Sequence, residues 1–273
     1  RWFREAVAAE PGSAARSRYV FREGRGPDGA EPPNNWKSIF GGPAWTRLKT
    51  ADGTPEQWYL HLFDSEQPDF DWNNQEVHDE FDDVLRFWLD RGVDGFRIDV
   101  AHGMVKDPAL PDIDPDAKAD LLDGSTSLPY FDQEGVHDIY RRWSRIAAEY
   151  PGDRTLVAEA WVEDAQRVAR YLRPDELHQA FNFEYLTAPW DAARLREVID
   201  GSLAANGAVG ATTTWVLSNH DVTRHVTRFG GGEQGLRRAR AATLLMLGLP
   251  GSVYLYQGEE LGLPEVTDLP EES

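Results

Sequence analysis

The 273-residue chain has no cysteine and only two methionines, so a disulfide framework and any thiolate metal site are excluded. Positive charge is also in short supply: 28 Lys and Arg stand against 47 Asp and Glu, a formal charge of −19. Nucleic acid and anionic membranes would repel such a surface, whereas a neutral ligand meets no such barrier. No apolar run approaches the roughly eighteen residues of a membrane-spanning helix, and nothing at the N-terminus resembles a signal peptide. Together with the absent cysteines, this gives the expectation of a cytoplasmic protein without nucleic-acid or membrane partners. The phosphate-binding fingerprints GxGxxG and GxxxxGK[ST] are missing as well. What remains is 41% hydrophobic and 11% aromatic residues, enough for a substantial core.

Two textures divide the chain. Residues 1–75 carry Gly, Pro, Asn and Trp in clusters such as GRGPDG (24–29), EPPNNW (31–36) and GGPAW (41–45), which is turn chemistry and predicts an irregular, loop-rich subdomain. Residues 76–273 alternate. Val77, Phe81, Val84, Leu85, Trp88 and Leu89 recur at helical spacing before the strand-like VDGFRIDVA (93–101). Helical periodicity from Val136 to Ala147 precedes TLVAEAW (155–161), and a weaker helical stretch at 164–172 leads to AFNFEY (180–185). Leu195, Val198, Ile199 and Leu203 precede TTTWVLSNHD (212–221), and segment 235–247 precedes SVYLYQG (252–258). Alternating helices and strands imply βαβ units and a parallel sheet.

A doubly wound sheet and a (β/α)8 barrel both fit that alternation, and the polar residues decide between them. GFRIDVAH (95–102), LVAEAW (156–161) and LSNHDVTR (217–224) each set one carboxylate at the end of an apolar run: Asp99, Glu159 and Asp221. Acidic groups closing buried strands are costly unless used. Carboxylates from the ends of several strands converge over one mouth in a barrel, and one βα unit here occupies roughly thirty residues, as a barrel requires. Five strands are visible, so either the sheet is open or the chain holds part of a barrel.

Cleaving a glycosidic bond requires a proton donor on the leaving oxygen and negative charge facing an oxocarbenium-like carbon. Arg97 lies two residues before Asp99, on the same strand face, where it can hold Asp99 ionised as a nucleophile. Glu159 has only Ala158, Ala160 and Trp161 beside it, a setting poor in counter-charge that suits a protonated acid/base. Asp221 and its neighbour His220 can both reach a sugar only if the strand end turns into a loop, and SNHD is turn-prone. Metal binding by His220 and Asp221 lacks a third ligand at a telling spacing. For Trp36, Trp45, Trp58 and Trp72, filling a small core is expected over stacking on sugar.

At these residues the chain resembles the α-amylase superfamily, glycoside hydrolase family 13. GFRIDVAH resembles the family's nucleophile segment, AEAW its acid/base segment and SNHD that of its transition-state stabiliser. QPDFDWNN (67–74) is similar to the QPDLN stretch of the oligo-1,6-glucosidase and α-glucosidase branch, with Asp71 in place of Asn, and GLPGSVYLYQGEELGL (248–263) resembles the final barrel strand and its loop.

The resemblance implies a retaining, exo-acting α-glucosidase for short α-1,4- or α-1,6-glucosides, a small oligosaccharide as partner, and no cofactor or metal in this stretch. Calcium is left to the first βα loop that some branch members use. Asp99, Glu159 and Asp221 are then catalytic, with Arg97, His220 and Arg224 binding substrate or its loop. Val100, directly after the nucleophile, goes with tolerance of α-1,6 linkages in the branch. His61 and His102 are expected to be structural. The resemblance further implies barrel strands four to eight without strands one to three or the β-sandwich that follows the barrel, leaving two open sheet edges. Its rivals are a transglycosylase or sucrose- or trehalose-isomerising enzyme, and a non-catalytic scaffold of the transporter heavy-chain kind.

Overall fold

The computed structural model describes residues 1–50, 52–114 and 128–268. They fall into two compact units, the first within residues 1–94, 100–154 and 161–163 and the second within 95–99, 155–160 and 164–268.

The first unit opens with α1 (Trp2–Ala8) and a three-stranded antiparallel sheet of β1 (Phe21–Arg22), β2 (Trp45–Lys49) and β3 (Pro55–Leu60), in the order β1-β3-β2. This sheet is more regular than the expected loop-rich stretch. Its strands are short, and β2 carries a register shift between Arg47 and Lys49, so neither leaves a period-two run. The core beneath it is aromatic, as expected: Trp36 and Trp45 are each 1% exposed and cluster with Leu60, Leu62 and Tyr130. His61 is satisfied by Thr46 Oγ1 and the Phe63 carbonyl, and His102 is buried against Phe131. Val100 packs on the same core with φ of +43°, a left-handed conformation that a β-branched side chain rarely adopts.

Helix α2 (Gln75–Leu89) starts at Asn74, whose side-chain oxygen accepts from the Glu76 amide at 2.8 Å. It buries Val77, Leu85 and Leu89 but leaves Val84, Phe87 and Trp88 exposed. Helix α3 (Val136–Ala148) lies against it, with Arg142 paired to Asp79 and Asp82 and Arg86 paired to Glu149.

The second unit carries all five parallel strands. β4 (Gly95–Ile98) pairs with β5 (Thr155–Ala158), and β5 with β6 (Gln179–Ala180). A bridge from Phe181 to Thr214 continues the sheet to β7 (Thr214–Val216), which pairs with β8 (Ser252–Tyr254). Strand order therefore follows chain order with parallel neighbours, as in consecutive strands of a (β/α)8 barrel, and the expected partial barrel is what forms. β4 and β8 each have one strand neighbour among the described residues.

The expected strand at 180–185 is shortened, because Asn182 turns the chain by accepting from the Tyr185 amide and caps α5 (Phe183–Thr187). Helices α4 (Ala165–Tyr171) and α6 (Ala192–Ala208) begin at Asp164 and Asp191, both side-chain caps. After them come the four-residue α7 (His225–Arg228) and α8 (Gly232–Gly248). Leu195, Val198, Trp215, Phe229 and Met246 knit α6 and α8 to β7. Gly95 lets β4 approach β5: a Cβ there would lie 2.0 Å from the Thr155 carbonyl oxygen. No helix among the described residues is long and apolar enough to cross a membrane.

Candidate active site

The six residues singled out from sequence all belong to the second unit. Parallel register sets Arg97 opposite Val157 and Ile98 opposite Ala158, and the Glu159 amide donates to the Ile98 carbonyl at 2.9 Å. Asp99 and Glu159 thus leave adjacent strand ends at the same level. The guanidinium of Arg97 spans them, with Nη1 2.6 Å from Asp99 Oδ1 and Nη2 3.0 Å from Glu159 Oε2.

This corrects one expectation. Glu159 does not sit apart from counter-charge, because the strand beside it supplies Arg97. Flanking residues in sequence could not reveal this; the contact arises from register between strands some sixty positions apart.

The two carboxyl groups differ in surroundings. Glu159 is 4% exposed, whereas the Asp99 side chain is 71% exposed. Burial works to raise the pKa of Asp99, but hydrogen bonds from Arg97 and Glu159, with the charge of Arg97 and the imidazole of His220, outweigh it. The Asp99 carboxyl therefore lies below the ordinary carboxylate value and is ionised at neutral pH.

β7 ends at Val216, and the chain turns into a loop that presents both His220 and Asp221, as their joint use requires. Asn219 Oδ1 accepts from the amides of Asp221 and Val222, an Asx turn that fixes the reversal. His220 Nε2 lies 3.4 Å from Asp221 Oδ1. Arg224 is engaged at the base of this loop: its guanidinium donates to the Gln257 carbonyl at 2.8 Å and lies over the Tyr256 ring, while its amide donates to Glu265. It ties the β7 loop to the segment after β8.

A cavity of about 130 Å³ opens on this face, lined by Arg97, Phe181, Phe183, His220, Tyr254 and Tyr256 among others. Its walls are aromatic, and Arg97 is the one arginine or lysine among its described lining residues. Among the described residues, no group of three or more His, Cys, Asp or Glu side chains is placed to hold a metal ion. Ser218 and His225, buried behind the loop, were missed from sequence, since neither ends a strand nor forms a charged pair.

The family description "Alpha amylase, catalytic domain" matches residues 1–272. The chain is 36% identical to a trehalose-6-phosphate hydrolase of Escherichia coli (strain K12), over 96% of this chain and 47% of that protein. It is also 36% identical to a probable α-glucosidase of Rhizobium meliloti, over 97% of this chain and 49% of that protein. Among solved structures, an α-glucosyl transfer enzyme superposes with a TM-score of 0.81 at 35% identity, covering 99% of this chain and 51% of the other. The chain spans about half the length of the relatives it matches. A partial parallel barrel with carboxylates at its strand ends, matched along nearly its whole length, belongs to the α-amylase catalytic-domain family, glycoside hydrolase family 13.

Proposed function

We propose that the full-length protein is a retaining, exo-acting α-glucosidase of short α-glucosides such as maltose and isomaltose. One observation carries the reading: the guanidinium of Arg97 bridges the two carboxyl groups, 2.6 Å from Asp99 and 3.0 Å from Glu159. A retaining enzyme holds its carboxyl groups about 5–5.5 Å apart and an inverting one about 6.5–9.5 Å, and one guanidinium in contact with both groups favours the shorter separation.

Labour divides by environment. Asp99, exposed and ionised, attacks the anomeric carbon. Glu159, buried beside Asp99, gives its proton to the departing oxygen, so the bond from carbon to that oxygen breaks as the bond to Asp99 forms. Glu159, now a carboxylate, takes a proton from water, whose oxygen displaces Asp99 and restores the starting state. Asp221 and His220 bind sugar hydroxyls beside the reacting carbon, and those contacts strengthen as positive charge develops there. Arg224 holds the loop that presents them.

A neutral substrate fits better than a phosphorylated one, because Arg97, the cavity's one arginine or lysine among the described lining residues, is already bound to two carboxyl groups. A second reading, glucosyl transfer, is favoured by the 35% identity to the α-glucosyl transfer enzyme, and changes only the acceptor that takes the place of water. The test is a proton NMR time course of maltose cleavage by the full-length protein, with Asp99→Ala as control and trehalose 6-phosphate as a parallel substrate. α-Glucose appearing before mutarotation, and lost in the control, is expected. β-Glucose first would refute retention, faster cleavage of the phosphorylated sugar would refute the neutral substrate, and oligosaccharide products at high maltose would favour transfer.

A further inference from the structure

Behind the loop that carries His220 and Asp221 lies a buried polar cluster that the chemistry above does not use. Ser218 and His225 are each 2% exposed and Glu259 is 7% exposed. The backbone N–H of His225 donates to Ser218 Oγ at 3.0 Å, and the ring Nδ1 of the same histidine lies 2.9 Å from that oxygen. One hydroxyl therefore meets both the main chain and the side chain of His225, joining the last residue before the loop to the first residue of α7.

Ser218 Oγ accepts from the His225 amide, and its contact with Nδ1 is a hydrogen bond in either neutral tautomer: the hydroxyl donates when the ring proton is on Nε2 and accepts with its second lone pair when it is on Nδ1. The surroundings keep the ring neutral: burial first, then the charges of Arg228 and Arg224, push its pKa down to about 4. Glu259 Oε1 is 3.7 Å from Nδ1, beyond hydrogen-bond range, and finds no donor among the described residues. Burial is the main influence raising the Glu259 carboxyl pKa. Arg228 pins the preceding residue, with Nη2 donating to the Leu217 carbonyl at 2.8 Å and Nη1 to that of Ala188 at 2.9 Å.

We propose that His225 is a positioning residue, which through Ser218 Oγ clamps the two ends of the loop 219–224 so that His220 and Asp221 are held in one arrangement. The catalytic consequence rests on the function proposed above; the mechanical one does not. A four-residue helix has no stability of its own, so α7 stays in place only through side-chain contacts such as this one. A freed loop misplaces Asp221, and misplacement by about 1 Å costs up to a hundredfold in rate.

The test uses the full-length protein with His225→Ala, Ser218→Ala, the double variant, and His225→Asn, which keeps a polar group near Nδ1. Hydrogen-exchange mass spectrometry over 217–229 reads the clamp independently of activity. Steady-state hydrolysis of p-nitrophenyl α-glucoside reads its consequence. Expected are amide exchange at 219–224 faster by about tenfold or more in both alanine variants, with the rest of the chain unchanged, and kcat lower by about ten- to a hundredfold at a KM within about threefold. The double variant should be no worse than the worse single, because both remove one shared contact, and His225→Asn should recover part of the loss. Unchanged exchange at 219–224, additive losses, or a raised KM at unchanged kcat would each overturn the proposal. Should wild-type protein cleave no glucoside, the proposed function fails while exchange still decides the clamp. Should His225→Ala not fold, Ser218→Ala, which deletes one oxygen, decides it.

Discussion

Replacing Arg97 with methionine keeps most of the side chain's length and removes its charge. The guanidinium lies 2.6 Å from Asp99 and 3.0 Å from Glu159. Two unit charges with centres about 4 Å apart interact by about 4 kcal/mol at an effective dielectric constant of about 20. Because the Asp99 side chain is 71% exposed, solvent screens about half of that. About 2 kcal/mol of attraction remains to hold the carboxyl ionised. Asp99 is held below its ordinary value, so its ionised, nucleophilic form persists to low pH in the wild type and is lost only as pH falls through that depressed pKa. Without Arg97, partial burial, already the largest influence, is opposed only by Glu159 and His220, so the acid limb of kcat/KM should move to higher pH. The assay is a pH–rate profile with p-nitrophenyl α-glucoside between pH 3 and 8, supplemented by added guanidinium ion, which should partly restore the wild-type limb. An acid limb that stays where it is would show that Arg97 does not hold Asp99 ionised, and the division of labour between the two carboxyl groups would lose its electrostatic basis.

Three further perturbations test neighbouring claims. Val100→Thr should lower the ratio of isomaltose to maltose hydrolysis rates, if the residue after the nucleophile tunes linkage tolerance; an unchanged ratio would remove Val100 from specificity. Trp36→Ala empties the centre of the first unit's core and breaks the bond from Nε1 to the Pro111 carbonyl, so urea unfolding should show a loss of about 3–5 kcal/mol. A loss below 1 kcal/mol would mean that the core is organised elsewhere. Asn74→Ala should cost about 1 kcal/mol by uncapping α2, and Asn74→Gly only a few tenths. Equal costs would place the effect outside the cap.

What could be read from sequence followed how local the signal is. Strand ends were legible because each combines a short apolar run with one acidic residue that no core tolerates without a use. Asp99 and Glu159 stand one residue past β4 and β5, as that argument requires. The bridging role of Arg97 was half legible: its pairing with Asp99 follows from strand alternation, but its reach to Glu159 depends on register, which no single segment encodes. The sheet of the first unit was hidden because β1 has two residues and β2 is bulged, too little for a period to show. Val84 and Trp88 match the helical period of α2 yet lie exposed, since periodicity marks a face without saying what covers it. His225 was invisible because its role depends on burial beside Ser218 and Glu259, which residue type alone does not announce.

The site's three carboxylates are held by two kinds of structure. Asp99 and Glu159 inherit their spacing from a hydrogen-bonded parallel pair in which four residues of β4 align with four of β5, so that spacing changes only if the sheet does. Asp221 stands five residues beyond β7, on a loop fixed by side chains: the Asx turn of Asn219, the Ser218–His225 contact, Arg228 on the Leu217 carbonyl, and Arg224 on the Gln257 carbonyl. The proposed covalent chemistry needs its nucleophile and acid at a constant distance, which a sheet supplies. Stabilising a transition state needs a group whose contact tightens as the sugar changes shape, and a loop held by a few removable contacts can supply that adjustment. Arg97 and His220 join the two: the guanidinium spans the strand-borne pair, and the imidazole from the loop adds its influence to hold Asp99 ionised. Sequence changes that retune substrate choice without abolishing chemistry are therefore expected to fall on residues 218–228 rather than on β4 and β5.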